Sequence, residues 1–246
     1  MQRYFLDQTL ADEVSLPADS DTYQHLARVL RAKVGQQVEL VSADQKLYLA
    51  QVKEVDANGL TLSVLEEVPA QVELPVRVTL VVSPVKNDRN DWLVQKATEM
   101  GADRIVFTDM ARTVAAWKPS VQAKKLTRMG KIAKAAAEQS HRLKVPAIDY
   151  LKTDEAINLN KDLGLVAWEE VAKAGEDGQL YQRLSQCQAG QELVAWFGPE
   201  GGLTEKEISA LTAHGFAKVG LGPRILRAET APLYFLAAVS LLSELH

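Results

Sequence analysis

From Val76 onward the chain alternates apolar runs of strand length with segments of helical length, which leaves few architectures open. Val76 to Val82 is the first apolar run, and a helix is expected from about Arg89 to Met100 with Gly101 as its stop. Ile105 to Thr108 reads as the next strand, and a long helix follows from about Ser120 to His141, ended by Pro146. Further strands are expected near Ile148 and over Leu163–Trp168, Leu193–Phe197 and Phe216–Leu221. A helix from Glu229 to Leu245 closes the chain. Strands written as unbroken apolar runs are buried on both faces, so the pattern predicts α/β architecture, a mostly parallel sheet flanked by helices.

The first seventy residues have a different texture. After Arg3-Tyr4-Phe5-Leu6, Asp19 or Ser20 can cap a helix whose apolar side uses Tyr23, Leu26, Val29 and Leu30. The period then drops to two: Val38 and Leu40; Tyr48, Ala50 and Val52; Leu60, Leu62 and Val64. Asp56-Ala57-Asn58-Gly59 supplies a turn, and short strands of this kind suggest a small β-barrel. Glu66 to Pro75, with two prolines and three acids, reads as the linker. The division expected is 1–70 and 74–246.

Two loops carry the chemistry. Phe197-Gly198-Pro199-Glu200-Gly201-Gly202-Leu203-Thr204 and Leu221-Gly222-Pro223-Arg224-Ile225-Leu226-Arg227-Ala228-Glu229-Thr230 each follow a predicted strand and precede a predicted helix. Six of the 14 glycines lie between Gly198 and Gly222. Loops at the carboxyl ends of neighbouring strands are where open α/β sheets bind ligands, and glycine lets a ligand approach the main chain. Thr204-Glu205-Lys206-Glu207 is a capping box with Leu203 and Ile208 as its staple, so a plain strand-to-helix turn also accounts for the first loop. No Gly-Lys-Ser/Thr follows, and there is no G-x-G-x-x-G. Together the loops suit a planar cofactor held largely by main-chain groups.

Net charge is −4, yet Lys118 to Lys144 contains eight Lys or Arg residues and one acid, Glu138. Lys124, Arg128 and Lys131 share a helix face opposite Leu126, Met129, Ala133 and Ala136, which fits either a solvated face or contact with RNA or DNA. Arg28, Arg31 and Lys33 form a second basic cluster. One cysteine, Cys187, leaves no internal disulfide. Histidines at 25, 141, 214 and 246 lack zinc spacing, so no metal is expected. The N-terminus lacks the apolar core of a signal peptide and Ala231–Leu242 is too short to span a bilayer, so a cytoplasmic protein without a membrane partner is expected.

At these residues the sequence resembles the RsmE family, bacterial 16S rRNA uridine-N3 methyltransferases of the knotted SPOUT class. The likeness rests on both glycine-rich loops. It extends through Arg3-Tyr4-Phe5, His25-Leu26-Ala27-Arg28-Val29-Leu30-Arg31, Gln95-Lys96-Ala97-Thr98-Glu99-Met100-Gly101 and Glu138-Gln139-Ser140. The resemblance implies a PUA-like RNA-binding barrel, a methyltransferase domain with a C-terminal trefoil knot, S-adenosylmethionine as donor and a homodimer. It further implies a uridine of helix 44 in 16S rRNA, at the decoding centre of the small ribosomal subunit, as target. Three loops would enclose the cofactor: Trp168 and Glu169; Phe197 to Gly202; and Leu221, Gly222, Ile225, Leu226 and Arg227. Ala111, His141 and Ala231-Pro232 depart from the residues common in the family, which have an acid, a glycine and a Thr-Ala-type pair there.

Methylation at uridine N3 requires loss of a proton and stabilisation of the resulting anion. Arg227 is the expected stabiliser, Arg3 and Arg112 are expected to position RNA, and Glu138, Glu200 and Glu229 stand unranked as bases. Another knotted methyltransferase, acting on a ribose 2′-hydroxyl or a tRNA base, and a non-catalytic RNA-binding assembly factor are the competing readings.

Overall fold

The period-two segments pair into one sheet because alternate side chains of each strand reach the same face. β1 (Arg3–Phe5), β2 (Glu13–Pro17), β3 (Gln37–Val41), β4 (Leu47–Val55) and β5 (Gly59–Val68) lie in the order β1-β3-β4-β5-β2. β1 is parallel to β3 and the other neighbours are antiparallel. Asp56 accepts from the Asn58 and Gly59 amides at 2.7 and 3.0 Å, which fixes the β4–β5 turn. Val38, Leu40, Ala50, Val52, Leu60 and Leu62 fill the core with Tyr23 and Leu26. β1 and β2 are the two edges, so this sheet curls without closing.

Three local expectations are corrected. β5 continues through Glu66–Val68 opposite Leu47–Leu49, so the connecting segment starts after Val68. β2 was not anticipated, since its Val14 and Leu16 alternate for only five residues. The first helix is a single turn, α1 (Asp21–Tyr23), capped by Ser20, followed by a π-helical stretch over Gln24–Val29. There the Leu30 amide donates to the His25 carbonyl at 2.9 Å, five residues back. That wider turn rotates Val29 and Leu30 off the buried stripe and onto the surface.

The computed structural model describes residues 1–173 and 178–245, so His246 lies outside the described residues. The chain clusters as two units, Met1–Glu73 with Ala137–Lys144 and Leu74–Ala136 with Val145–His246. In the second, β6 (Arg77–Val82), β7 (Arg104–Phe107), β8 (Ala147–Tyr150), β9 (Leu163–Ala167), β10 (Glu192–Phe197) and β11 (Phe216–Val219) form a wholly parallel sheet. Its order is β11-β9-β10-β6-β7-β8. Between and after the strands run α2 (Arg89–Glu99), α3 (Pro119–Gln139), α4 (Thr153–Ile157), α5 (Glu169–Lys173), α6 (Gln179–Leu184), α7 (Glu205–Ala213) and α8 (Ala231–Glu244).

Both faces of this sheet are covered, which is why its strands read as apolar runs. Val78, Leu80, Val82, Ala195 and Phe197 meet Leu93 and Val94 of α2, Met129 and Ala133 of α3, and Phe235 and Leu236 of α8. Val81, Val106, Val166, Val194 and Trp196 face the other way, onto Ala156 and Ile157 of α4 and Ile208 and Leu211 of α7. No helix among the described residues is long and apolar enough to cross a membrane.

Candidate functional site

β9, β10 and β11 are neighbours, and their carboxyl ends open onto a cavity of about 390 Å³. That lies within the range of small-molecule sites. Its wall is built from the three loops that leave these strands: Trp168 and Glu169 after β9; Phe197–Glu200, Gly202 and Leu203 after β10; Leu221–Ala228 after β11. The Trp168 amide donates to the Val219 carbonyl at 3.0 Å, and the Lys218 ammonium lies 5.1 Å from the Trp168 ring centre, so the first loop is fastened to the third strand.

The loop after β10 is a tight turn and a cavity wall at once. A Cβ on Gly198 would sit 3.1 Å from the Leu203 side chain and amide, and Gly202 adopts φ +70°, so both positions favour glycine. Thr204 Oγ1 accepts from the Glu207 amide at 3.2 Å while Glu207 accepts from the Thr204 amide at 2.8 Å, closing the expected capping box. Leu203 and Ile208 are both buried beside it. Thr204→Ala removes the cap and should cost about 1 kcal/mol in urea unfolding. Partial burial pushes the Glu207 carboxyl up, but bonds from the Ala111 and Thr204 amides and the Thr204 hydroxyl, with the Arg112 charge, outweigh it and hold the group below the usual carboxylate range. Its contribution is therefore complete above the ordinary carboxylate pKa and is lost as the pH falls through the folded one.

In the loop after β11, Gly222 holds φ +82°. Among the described residues no hydrogen bond to protein takes up the amides of Leu221, Gly222 or Leu226. Main-chain donors without protein partners beside a hollow suit a ligand or water as acceptor. Arg224 and Arg227 stand exposed on this wall, and no ion pair among the described residues uses them.

Three wall residues lay outside the anticipated loops: Arg89, Ala167 and Ala231. Arg89, the first residue of α2, reaches both glycine-rich loops: Nη2 donates to Glu200 at 3.0 Å and Nη1 to Glu229 at 3.4 Å. Glu200 lines the cavity, while Glu229, only 7% exposed, is buried outside its lining. The sequence cue for Arg89 was only its place at the start of a predicted helix; the pairing of β6 with β10, which brings that helix start near the loops, is visible only in the structure.

The other expected site residues fall in several places. Gly201 is outside the lining; its carbonyl accepts from Arg112 Nη1 at 2.8 Å, so Arg112 braces the Gly198 loop from behind. Glu138 does not line the cavity. It lies in the segment counted with the first unit, where burial and then the Glu138 charge push the Tyr4 hydroxyl up to about 12. Arg3, expected to position RNA, is 5% exposed and bonded to Glu39 at 2.9 Å and to the His141 carbonyl, which ties it into the first unit. His141 holds φ +58°, the region glycine favours. Arg28, Arg31 and Lys33 are exposed. So are Lys124, Arg128 and Lys131 of α3, with Met129, Ala133 and Ala136 buried opposite and Arg128 paired with Asp91 of α2.

This arrangement has relatives. The family described as RNA methyltransferase domain matches residues 72–240, and the RNA methyltransferase PUA domain matches residues 18–65. A protein of Bacillus subtilis named ribosomal RNA small subunit methyltransferase E is 37% identical over 100% of this chain and 98% of its own length. The chain belongs to the RsmE family of RNA methyltransferases. A Mycobacterium tuberculosis member of the family is 32% identical over 97% of this chain and 91% of its own length. The solved structure of the Neisseria gonorrhoeae member, described as bound to S-adenosyl methionine, superposes with a TM-score of 0.85 at 30% identity over 98% of both chains.

Proposed function

We propose that this chain transfers a methyl group from S-adenosylmethionine to N3 of a uridine in 16S rRNA, the helix 44 uridine at the decoding centre being the target that the family resemblance implies. The observation that carries the reading is the meeting of both glycine-rich loops around one cavity at the ends of β10 and β11, the two parallel strands that flank β9. The cavity's chemistry fits the donor. Apolar surface from Phe197, Leu203 and Leu226 suits an adenine ring, and the amides of Leu221, Gly222 and Leu226 are donors without protein acceptors. Trp168, Glu169, Gly198, Pro199, Glu200, Gly202 and Ile225 complete the wall. Bound there, the sulfonium supplies an electrophilic methyl group.

This chain's residues then have separable tasks. Arg227, exposed on the wall and outside every ion pair among the described residues, stabilises charge developing on the uracil carbonyl oxygens. Glu200 is the base candidate that faces the cavity, so it is the proposed acceptor of the N3 proton. Glu229 is buried against Arg89 and holds the loop. The reading includes a homodimer, the trefoil knot, and division into an RNA-binding domain over 1–70 and a methyltransferase domain over 74–246.

A methyl on N3 blocks the Watson–Crick edge, so reverse transcriptase should stop at one uridine of 16S rRNA from wild-type cells and read through it in rRNA from cells lacking this protein. Mass mapping of the same rRNA should show loss of one methyl on that base. A missing methyl that never arrested the polymerase would point to a ribose 2′-hydroxyl, and identical maps would overturn the function. RNA is expected on the exposed face of α3. Lys124→Glu with Arg128→Glu should weaken small-subunit binding and flatten its logarithmic salt dependence by about 0.7 for each phosphate no longer neutralised. An unchanged slope would place RNA elsewhere.

A further inference from the structure

The stretch from His25 to Val34 is anchored from inside and apolar outside. Leu26 and Ala32 are buried at 0% and 8% and linked by the Ala32 amide donating to the Leu26 carbonyl at 3.0 Å. Between and beyond them Val29, Leu30 and Val34 stand 66%, 39% and 66% exposed. Single exposed apolar residues are ordinary, but three on one short knuckle form a patch that calls for a partner.

The knuckle is held firmly. The Gln36 amide donates to the Lys33 carbonyl at 3.0 Å, the Gly35 amide to Val52 of β4 at 2.8 Å, and the Gln51 side chain returns a bond to the Gly35 carbonyl at 2.9 Å. Arg31 sits at φ +53°, a left-handed conformation disfavoured for a residue with a Cβ. A π-turn followed by a strained arginine is the kind of local irregularity that gathers at functional surfaces.

Charge selects the partner. Arg28, Arg31 and Lys33 are exposed among the apolar side chains, and no acid occurs between Asp21 and Glu39. The Arg28 guanidinium lies 5.7 Å from the Tyr23 ring centre, which restrains it at the surface. A protein-facing segment normally mixes signs; residues 22–38 carry a single sign along the chain, as phosphates require. Apolar side chains between cations find no partner on paired A-form RNA, whose base faces are stacked away, but they do find one where bases are splayed out.

We propose that the Arg28–Val34 knuckle docks an unpaired segment of rRNA, with Val29, Leu30 and Val34 against the faces of unstacked bases and Arg28, Arg31 and Lys33 on the flanking phosphates. The proposal rests on the RNA-methylating reading of the chain and adds a docking point to it.

The test uses full-length protein and small ribosomal subunits from cells lacking it, with affinity measured across a salt series. Val29→Ser with Leu30→Ser should weaken binding about tenfold at every salt concentration and leave the slope unchanged, since the change removes apolar surface and no charge. Arg28→Gln with Arg31→Gln should lower the slope by about 1.4, that is, about 0.7 for each of two phosphates on single-stranded RNA. Both pairs are exposed, so folding should survive; Val34→Ser gives an independent single change of the first kind. Wild-type affinity in the serine variants overturns the knuckle while the methylation reading stands. Unaltered protein that fails to bind subunits overturns both. Serine variants that lose self-association in light scattering yet keep their subunit affinity would assign the patch to a second copy of the chain, and the proposal falls.

Discussion

Arg89→Met should lower the stability of the chain by about 2–3 kcal/mol at neutral pH, read as a drop in the urea midpoint at constant slope. The guanidinium serves two carboxylates, and the cost of removing it depends mainly on the more buried one. The Glu229 side chain is 9% exposed and the Glu200 side chain 33%, so Glu229 is left charged with little water to solvate it, whereas Glu200 recovers solvent readily. The figure sits below the full penalty for a broken buried pair because the Arg89 side chain is itself 28% exposed. Arg89→Met combined with Glu229→Met should regain most of the loss, since replacing both members of a buried pair with apolar groups is often close to neutral. Simple addition of the two single effects in that cycle would mean that the pair is not coupled and that the loops are held by something else. The same change should loosen the two glycine-rich loops against each other, so affinity for S-adenosylmethionine should fall more than the stability loss alone explains.

What was legible in the sequence was whatever repeats along the chain. Runs such as Val78–Val82 and Leu193–Phe197 announced strands buried on two faces, and the parallel sheet follows from their burial between α2 and α8 on one side and α4 and α7 on the other. The glycine loops were legible because turn geometry and close approach leave little choice of residue at Gly198, Gly202 and Gly222. The failures have a common cause in tertiary context. The pattern at Tyr23, Leu26, Val29 and Leu30 matches an α-helix, but the fold turns it into a π-helical stretch and exposes the last two. Arg3, Arg89 and Arg112 look alike in sequence. One is buried on Glu39, one bridges two loops, and one braces a carbonyl at residue 201. No periodicity marks those partners, which lie 36 to 140 residues away along the chain. Glu138 shows the same limit, since its sequence neighbourhood carries no sign that its charge acts on Tyr4.

Arg227→Ala should reduce single-turnover methyl transfer by about 10²–10³-fold while leaving calorimetric affinity for S-adenosylmethionine within a few-fold of wild type. The separation follows from where the groups sit. Main-chain amides at 221, 222 and 226 and the glycine loop after β10 form the wall proposed to hold the cofactor, and none of them depends on the Arg227 side chain. That side chain is exposed and outside every ion pair among the described residues, so truncating it leaves no buried charge and little stability cost. Its proposed work is confined to the moment when N3 loses its proton and charge spreads onto the uracil oxygens. Arg227→Lys should recover part of the rate, because an ammonium supplies the charge without the guanidinium's paired donors. The rate of the alanine variant should also climb with pH further than that of the wild type, as external base replaces the missing stabilisation. Arg224→Ala is the internal comparison: it removes the neighbouring exposed charge and should act mainly on RNA affinity. Equal losses of cofactor affinity and of rate in Arg227→Ala would move the residue from the reacting base to the cofactor, and a wild-type rate would remove it from the chemistry altogether.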